Sequence, residues 1–267
     1  MKCATPAQIS DKKNACGHRR KSNKREQYMT INSIAGITNV ALCNTTLQRA
    51  MNRAYSLPGI VVFHGKSGLG KSFAASYVAN RHNAYFVQCK STWTRKAFLQ
   101  AIAKDMGILI KGTVAELMDA ICEELMLSAR PLIIDEADHL ADKDRIFMVM
   151  DLYEGSQAPI MLIGEERLPQ KLSTYEKIHN RILEWAPAQP CEITDVEQLA
   201  SIYAPGINID PQLLENLHSA TKGVTRRICV NLDTIAAFAK NEGTDTVTVA
   251  NYDRPFFTGQ APKGRAA

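Results

Sequence analysis

The segment from Gly65 to Ser72 has residue types and a spacing suited to binding a polyphosphate. It reads GKSGLGKS and fits the pattern G-x-x-x-x-G-K-[ST] throughout. Glycines let such a loop turn its backbone N–H groups towards phosphate, at the positive end of the following helix. Lys71 would reach the β- and γ-phosphates of ATP, and the Ser72 hydroxyl would hold Mg²⁺. We therefore predict that the whole loop binds nucleotide: Gly65, Lys66, Ser67, Gly68, Leu69, Gly70, Lys71 and Ser72.

Two adjacent carboxylates form the second group of residues that could take part in a reaction. Asp135 and Glu136 follow a short apolar segment, about 60 residues after the phosphate loop. Parallel α/β sheets bind ligands at the carboxyl ends of their strands, where these two residues would lie. Asp135 would support Mg²⁺, and Glu136 would polarise the attacking water. Together with Lys71 they predict Mg²⁺-dependent ATP hydrolysis, whereas nearby Asp138 is expected to be structural.

The elements that must position these residues alternate along the chain. Short apolar, β-branched segments predict buried parallel strands at 60–64, 84–89, 132–135 and 160–164. Helical patterns lie before and between them, one with an N-cap at residues 44–46, one with a capping box from Thr113 to Glu116, and one near 143–153. This alternation predicts an α/β fold, with a parallel sheet between two layers of helices.

The pattern changes beyond Pro187 and Pro190. Helical stretches follow near 195–203, 210–220 and 224–241, after a short strand-like segment at 191–193. They predict a small helical lid. The predicted organisation is a basic flexible arm at 1–28, a nucleotide-binding α/β domain at 29–190, the lid at 191–250 and a flexible tail at 251–267.

Composition is that of an ordinary globular protein. The 267 residues are 45% hydrophobic and 22% charged, and the seven cysteines form no C-x-x-C pair, which indicates reduced thiols. No apolar run is long enough to span a membrane, and the N-terminus lacks the apolar stretch of a secretory signal. These features predict a cytoplasmic protein.

Charge is concentrated at the N-terminus. Residues 1–28 carry eight lysines and arginines against two acids, a net +6 in a chain whose total is +5. A segment so basic and so poor in apolar residues cannot offset its own ordering entropy. It is either an arm that contacts nucleic-acid phosphates or a solvated tail.

The phosphate loop, the LIIDEAD segment at 132–138 and the lid together resemble the AAA+ ATPases over roughly residues 40 to 240. Within that superfamily the chain is most similar to the transposition target-selection ATPases of phage Mu and Tn7-like elements. Residues that carry this closer resemblance are the lead-in at 39–41, the loop and helix at 89–106, and the segment LIGEERL at 162–168.

The resemblance implies further roles for three residues. Glu165 occupies the position of a polar sensor of the γ-phosphate, where the family usually has Asn, Thr or Ser. Arg181 corresponds to an arginine finger that acts on a neighbouring subunit's nucleotide, although it could equally be a surface arginine. Arg226, in preference to Arg227, corresponds to a second sensor on the lid.

The resemblance also implies a DNA-binding loop after the second strand. Hydroxyl and cationic side chains there suit phosphate contacts that carry no sequence information. Trp93 could stack on bases or could be half-buried packing. The predicted DNA contacts are Lys90, Thr92, Trp93, Thr94, Arg95, Lys96 and Lys111.

The function implied is an ATPase of a bacterial host cytosol that assembles on double-stranded DNA, as a ring or helical filament, and delivers transposition targets to a transposase. Two alternatives stay open. One is a replication accessory such as a helicase loader or initiator, and the other is a protein-binding NTPase switch without nucleic acid. No membrane partner is expected.

Overall fold

The computed structural model describes residues 36–109, 111–142 and 145–261. The predicted basic arm at 1–28 lies outside the described residues. The helices are α1 (Thr38–Met51), α2 (Lys71–His82), α3 (Arg95–Met106), α4 (Val114–Ser128), α5 (Asp138–Ala141), α6 (Phe147–Ser156), α7 (Leu168–Ser173), α8 (Glu176–His179), α9 (Ile193–Tyr203), α10 (Pro211–Thr221) and α11 (Thr225–Glu242). The strands are β1 (Ile60–His64), β2 (Tyr85–Gln88), β3 (Leu132–Asp135), β4 (Ile160–Gly164), β5 (Ile182–Pro187), β6 (Asn208–Ile209) and β7 (Thr246–Val247).

Strands β1 to β5 form one parallel sheet in the order β2-β3-β4-β1-β5. The predicted α/β fold is therefore confirmed. β4 lies between β3 and β1, and all three strands are parallel. Their carboxyl ends therefore lie side by side at the same edge of the sheet. At that edge stand Gly65 after β1, Asp135 at the end of β3 and Glu165 after β4. The fold itself thus gathers the residues that the sequence separates by 100 positions.

The sheet separates two apolar cores because alternate residues of a strand face opposite sides. Val61 and Phe63 of β1 pack with α1, α2 and the helices that follow β5. Ile60 and Val62 of the same strand face α3, α4 and α6. Both faces are covered, which is why the strands are almost continuously apolar.

Helices α9, α10 and α11 form the predicted lid, joined by a short parallel pair between β6 and β7. A buried carboxylate attaches it to the α/β layer. Asp195 of α9 is 1% exposed, and its Oδ1 accepts hydrogen bonds from the backbone N–H and the hydroxyl of Thr38. Its Oδ2 accepts from the N–H of Glu192 and so caps α9. The first turn of α1 and the first turn of the lid therefore share one acceptor.

Several predicted boundaries were wrong. α1 begins at Thr38 rather than at residues 44–46, because tertiary contacts and not a side-chain cap fix its start. Residues 191–193 are not a strand, whereas β5, which ends four residues earlier, was missed. β5 is an edge strand, half-buried through Glu184 and Trp185, and lacks the apolar run of an interior strand. α6 begins at Phe147 instead of near residue 143.

The segment predicted as a flexible tail packs against the lid where the structure describes it. Tyr252 is buried beside Phe238 in an edge-to-face arrangement. The amide of Asn231 donates to the carbonyl of Phe257 and accepts from its N–H. Residues 252–257 therefore lie along α11.

Across the described helices, none combines the length and apolar character needed to cross a membrane.

Candidate functional site

Two left-handed glycines shape the loop between β1 and α2. Gly68 has a φ of 88° and Gly70 a φ of 81°, conformations that strain a residue with a Cβ. A Cβ on Gly68 would also meet Cγ1 of Val224 at 3.0 Å. Within the described part of the chain, the N–H groups of residues 66–70 make no backbone–backbone hydrogen bond. These donors lie next to the N-terminus of α2, an arrangement that binds anions.

Lys71 begins α2, and its side chain folds back over the loop. Its Nζ donates to the carbonyl oxygens of Gly65 at 2.7 Å and Lys66 at 2.9 Å. Burial lowers the pKa of Lys71, while the charges of Glu136 and Asp135 act in the opposite direction. The ammonium group is thus held inside the curve of the loop, where phosphate oxygens would be stronger acceptors than carbonyls.

Asp135 and Glu136 lie at the carboxyl end of β3, and their side chains are in different environments. Asp135 is 2% exposed, and its carboxylate accepts from the N–H of Glu136 at 2.9 Å and from Nε2 of Gln88 at 3.4 Å. Glu136 has a φ of 57°, a conformation that costs energy for a residue with a side chain. Burial, followed by the charge of Asp135, raises the pKa of Glu136. A raised pKa makes this carboxylate a stronger proton acceptor.

Asp138 supports the end of β4. Its Oδ2 accepts a 2.7 Å hydrogen bond from the N–H of Glu165, and its Oδ1 lies 3.1 Å from Nζ of Lys171. Gly164 leaves room for this contact, since a Cβ there would overlap the carboxylate of Asp138. The predicted structural role of Asp138 is consistent with this geometry. It fixes where Glu165 leaves the sheet.

The lid meets the phosphate loop directly. The N–H of Arg226, in the first turn of α11, donates to the carbonyl oxygen of Gly68 at 2.9 Å. Thr225 lies beside Gly70, where a built Cβ would be 3.5 Å from its methyl group. The side chain of Arg226 lines the same cleft as Lys71. Arg227 faces Gly259 of the C-terminal segment instead.

A cleft of about 420 Å³ runs between the phosphate loop and the lid. Its phosphate end is lined by Lys71, Ser72, Asp135, Glu136 and Glu165, and the cleft lining also includes Thr225 and Arg226 from the first turn of α11. Its other end is mainly apolar, and none of its residues was predicted as part of the site: Ile37, Val40, Leu199, Ile202, Tyr203, Cys229 and Val230. An apolar pocket with a few polar groups at one end is typical of a small-molecule site.

Asn39 connects three parts of this cleft. It is 3% exposed, and its Nδ2 donates to the carbonyls of Leu69 at 2.9 Å and Gln189 at 2.7 Å. Its Oδ1 accepts from the N–H of Gln189 at 2.8 Å. The phosphate loop, α1 and the link between β5 and the lid are therefore tied through one side chain. No local pattern marks this role, because the partners lie 30 and 150 residues away.

Arg181 lies at the opposite edge of the sheet. Its carbonyl accepts from the N–H of Ile60, at the amino end of β1. Its Nη2 is 3.1 Å from Oε1 of Glu154, beside a second cavity of about 400 Å³. β1 separates Arg181 from the phosphate loop of its own chain. Any contact between this arginine and a nucleotide would have to involve another copy.

The predicted DNA-binding loop follows β2 at the edge of the sheet. Lys90, Arg95 and Lys96 are exposed. Trp93 is half-buried, with Nζ of Lys90 5.9 Å from its ring centre, and its carbonyl accepts from Nη1 of Arg145. The hydroxyl of Thr94 accepts from the N–H of Ala97 and caps α3.

The other two predicted DNA contacts also lie on the surface. Thr92 is exposed within the loop, and Lys111 is exposed between α3 and α4. The structure thus groups the predicted contacts from 90 to 96 in the loop after β2 and the first turn of α3, and leaves Lys111 in a separate loop.

The loop is linked to the phosphate end of the cleft. The N–H of Cys89 donates to the carbonyl of Asp135, and the side chain of Gln88 contacts the carboxylate of Asp135. A change in the position of Asp135 would therefore also move Cys89, the residue that precedes Lys90.

The residues present fit a magnesium nucleotide. Free N–H donors surround the loop, and the Ser72 hydroxyl and the buried carboxylate of Asp135 are hard oxygen ligands on one cleft, as Mg²⁺ prefers. These assignments rest on donor chemistry and position, and the individual roles stay predictions.

Residues 53–172 match the family model described as an AAA domain. This segment is therefore similar to AAA domains. The matched segment contains the phosphate loop, Asp135 and Glu136, and ends within α7, so the lid lies beyond it. A search of curated proteins found no match.

Several solved structures are similar to this chain in fold. The Aeropyrum pernix Orc1 protein, solved in complex with DNA, is 17% identical with a TM-score of 0.56 over 78% of this chain. Cdc6p of Pyrobaculum aerophilum is 14% identical with a TM-score of 0.53 over 90% of this chain. A Walker-type ATPase of Pyrococcus abyssi is 15% identical with a TM-score of 0.54 over 76% of this chain. The matched regions span 61% of the Orc1 chain, 66% of Cdc6p and 67% of the Pyrococcus protein.

Proposed function

We propose that this protein binds and hydrolyses Mg²⁺·ATP and uses the nucleotide to control binding to double-stranded DNA. The observation that carries the proposal is the shared cleft, on which Lys71, Ser72, Asp135, Glu136 and the lid residue Arg226 converge. Elements distant in sequence contribute to it, and the polar groups are those that phosphoryl transfer requires.

Each side chain has a defined task in hydrolysis. Mg²⁺, when bound, would offset the negative charge of the phosphates. Lys71 would exchange its carbonyl contacts for phosphate oxygens, and Asp135 and Ser72 would hold the metal. Glu136 would accept a proton from the attacking water, which its raised pKa favours. The N–H donors of the loop would stabilise charge on the β-phosphate.

Binding of DNA is supported by charge and by connection to the cleft. Lys90, Arg95 and Lys96 present cations on a loop whose preceding residues contact Asp135. The basic segment 1–28 would add further phosphate contacts. The Orc1 protein with the same fold was solved in complex with DNA, which makes duplex DNA a reasonable partner.

Self-assembly would complete the site. Arg181 lies at the opposite edge of the sheet from the phosphate loop, so it would not contact a nucleotide bound to its own chain. Its planar guanidinium suits contact with a phosphate bound to a neighbouring copy. In this proposal ATP holds two copies together, as a ring or a helical filament, and assembly multiplies weak DNA contacts into stable binding. Loss of ATP would release both the neighbour and the DNA.

The biological setting is the finer part of the proposal. A target-selection role with a transposase partner rests on the sequence resemblance alone, because none of the three solved structures is described as a transposition protein. A replication initiator is the second candidate, and the shared fold with Orc1 and Cdc6p favours it. An NTPase switch that binds only protein would retain no duplex at moderate salt.

Hydrolysis is tested with purified protein, Mg²⁺ and ATP. We expect phosphate release that Lys71→Ala abolishes through loss of binding, and that Glu136→Gln slows roughly 100-fold or more while binding persists. Lys240→Ala, an exposed charge on the far end of the lid, is the matched control and should leave the rate unchanged. A Lys71→Ala protein that hydrolyses ATP normally would contradict the proposal.

A further inference from the structure

Glu165 brings a carboxylate to the phosphate end of the cleft. It follows β4, between the strands that carry Gly65 and Asp135, and lines the same surface as Lys71. Its N–H is held by Asp138, and Gly164 before it has no room for a Cβ. The backbone is therefore fixed at this point, and the exposed side chain of Glu165 begins at the phosphate end of the cleft.

The charges at this end of the cleft do not balance. The charged residues lining it are Asp135, Glu136 and Glu165 against Lys71 and Arg226. Asp138 does not add to the excess, because Lys171 lies 3.1 Å from it. Within the described chain, Glu165 makes no salt bridge. Its charge raises the pKa of Glu136 after burial, Asp135 and Asp138, so it acts on the groups around the cleft.

A binding site for polyphosphate gains nothing from a third carboxylate unless a cation is present. Asp135 has a metal to hold and Glu136 a water to polarise, but Glu165 has neither task. Like charges a few ångströms apart repel each other, and solvent weakens this repulsion at an exposed carboxylate such as Glu165 without removing it. Metal-free ATP carries more negative charge than metal-free ADP, and Mg²⁺ offsets part of the charge of either.

We infer that Glu165 is a specificity-determining residue. Its charge disfavours ATP that lacks Mg²⁺, and it reduces the affinity for ATP relative to that for ADP. The inference rests on the proposed nucleotide site and deepens it. Electrostatic repulsion from Glu165 penalises the triphosphate more than the diphosphate, and a bound divalent cation removes most of the penalty. The cleft thereby selects the Mg²⁺ complex as its ligand.

The test compares nucleotide affinities in wild type and Glu165→Gln by calorimetry, with ATP and ADP, each with Mg²⁺ and with a chelator. Glutamine keeps the size of the side chain and the N–H bond to Asp138. We expect metal-free ATP to bind about three- to tenfold more tightly to Glu165→Gln, with a smaller gain for ADP and for Mg²⁺·ATP. The gain should shrink as salt is raised.

Glu166→Gln is the matched control. It removes the same charge one residue later, from a side chain that lies 4.0 Å from Lys66 and does not line the cleft. Its metal-free ATP affinity should stay within about twofold of wild type, since distance and solvent screen its charge. An equal gain in both variants would attribute the effect to net charge and overturn the inference.

Other outcomes separate the inference from the proposed function. Unchanged metal-free ATP binding in Glu165→Gln, with normal binding in wild type, would overturn the inference alone. Weaker Mg²⁺·ATP binding in Glu165→Gln would also overturn it, because the carboxylate would then hold the metal. A folded wild type that binds no nucleotide under any condition would refute the proposed function itself.

Discussion

The backbone N–H of Arg226 donates a 2.9 Å hydrogen bond to the carbonyl oxygen of Gly68. Gly68 belongs to the phosphate loop and Arg226 to the first turn of the last lid helix. The loop and the lid are thus in contact before any ligand enters, through a backbone N–H that any substitution other than proline retains. A nucleotide in the cleft would meet a lid whose first turn is already positioned.

The side chain of Arg226 should contribute to binding without contributing to the fold. Arg226→Ala keeps the hydrogen bond to Gly68 and removes the cation that lines the cleft. We expect ATP affinity to fall about tenfold, the size of one charge-assisted hydrogen bond, with little change in thermal stability. Arg227→Ala, measured in parallel, should bind ATP normally because Arg227 faces Gly259. Equal losses in both variants would refute the assignment.

Asn39 should matter to both stability and binding. Asn39→Ala leaves the carbonyls of Leu69 and Gln189 without their donor inside the protein, where Asn39 is 3% exposed. We expect a loss of about 2–4 kcal/mol in the free energy of unfolding, measured by denaturant titration, and weaker ATP binding. Asn44→Ala, on the same helix and half-buried, should cost clearly less. A stable Asn39→Ala protein with normal affinity would show that the connection is dispensable.

Glu136→Gln should separate catalysis from stability. Loss of the proton acceptor should slow hydrolysis roughly 100-fold or more. In the fold, burial and Asp135 raise the pKa of Glu136 above its ordinary value of 4.5. The stability it contributes is therefore full below pH 4.5 and is lost as pH rises through the raised pKa.

Glutamine cannot ionise and avoids this loss. The melting temperature of Glu136→Gln should exceed that of wild type by a few degrees at neutral pH, and the two should converge below pH 4.5. A melting temperature below wild type at neutral pH would mean that the fold stabilises the charged carboxylate, the opposite of what burial and the charge of Asp135 should do.

Some parts of the fold and of the candidate site can be predicted from the sequence, and others cannot. The phosphate loop and the strands before Gly65 and Glu136 follow from local patterns, since a short apolar run and a glycine-rich turn each have a local physical cause. The capping box from Thr113 to Glu116 forms as expected for the same reason. Fold class follows from the alternation of strands and helices.

The apolar end of the cleft could not be predicted in this way. Ile37, Asn39 and Tyr203 reach the site only because α1 and the lid pack beside the phosphate loop, and no periodicity records that packing. β5 was missed because Glu184 interrupts its apolar run and most of the strand is only half-buried. The start of α1 depends on Asp195, which lies 157 residues away. Long-range partners decide each of these features.

The cations of the loop after β2 should give DNA affinity that depends on salt. Replacing Lys90, Arg95 and Lys96 together by alanine should weaken binding to random-sequence duplex. It should also reduce the slope of log affinity against log salt by about 0.9 for each phosphate that the protein no longer neutralises. Lys104→Ala, at the other end of α3, is the control. An unchanged slope in the triple variant would place the DNA elsewhere on the protein.

The proposed function depends above all on whether nucleotide controls DNA binding. Sedimentation of the protein with random-sequence duplex is measured with ATP, a slowly hydrolysed analogue, ADP and no nucleotide. We expect large complexes with ATP and its analogue, little with ADP or no nucleotide, and none with Lys71→Ala. DNA binding that is equal in all four conditions, or absent from all of them at low salt, would contradict the proposed function.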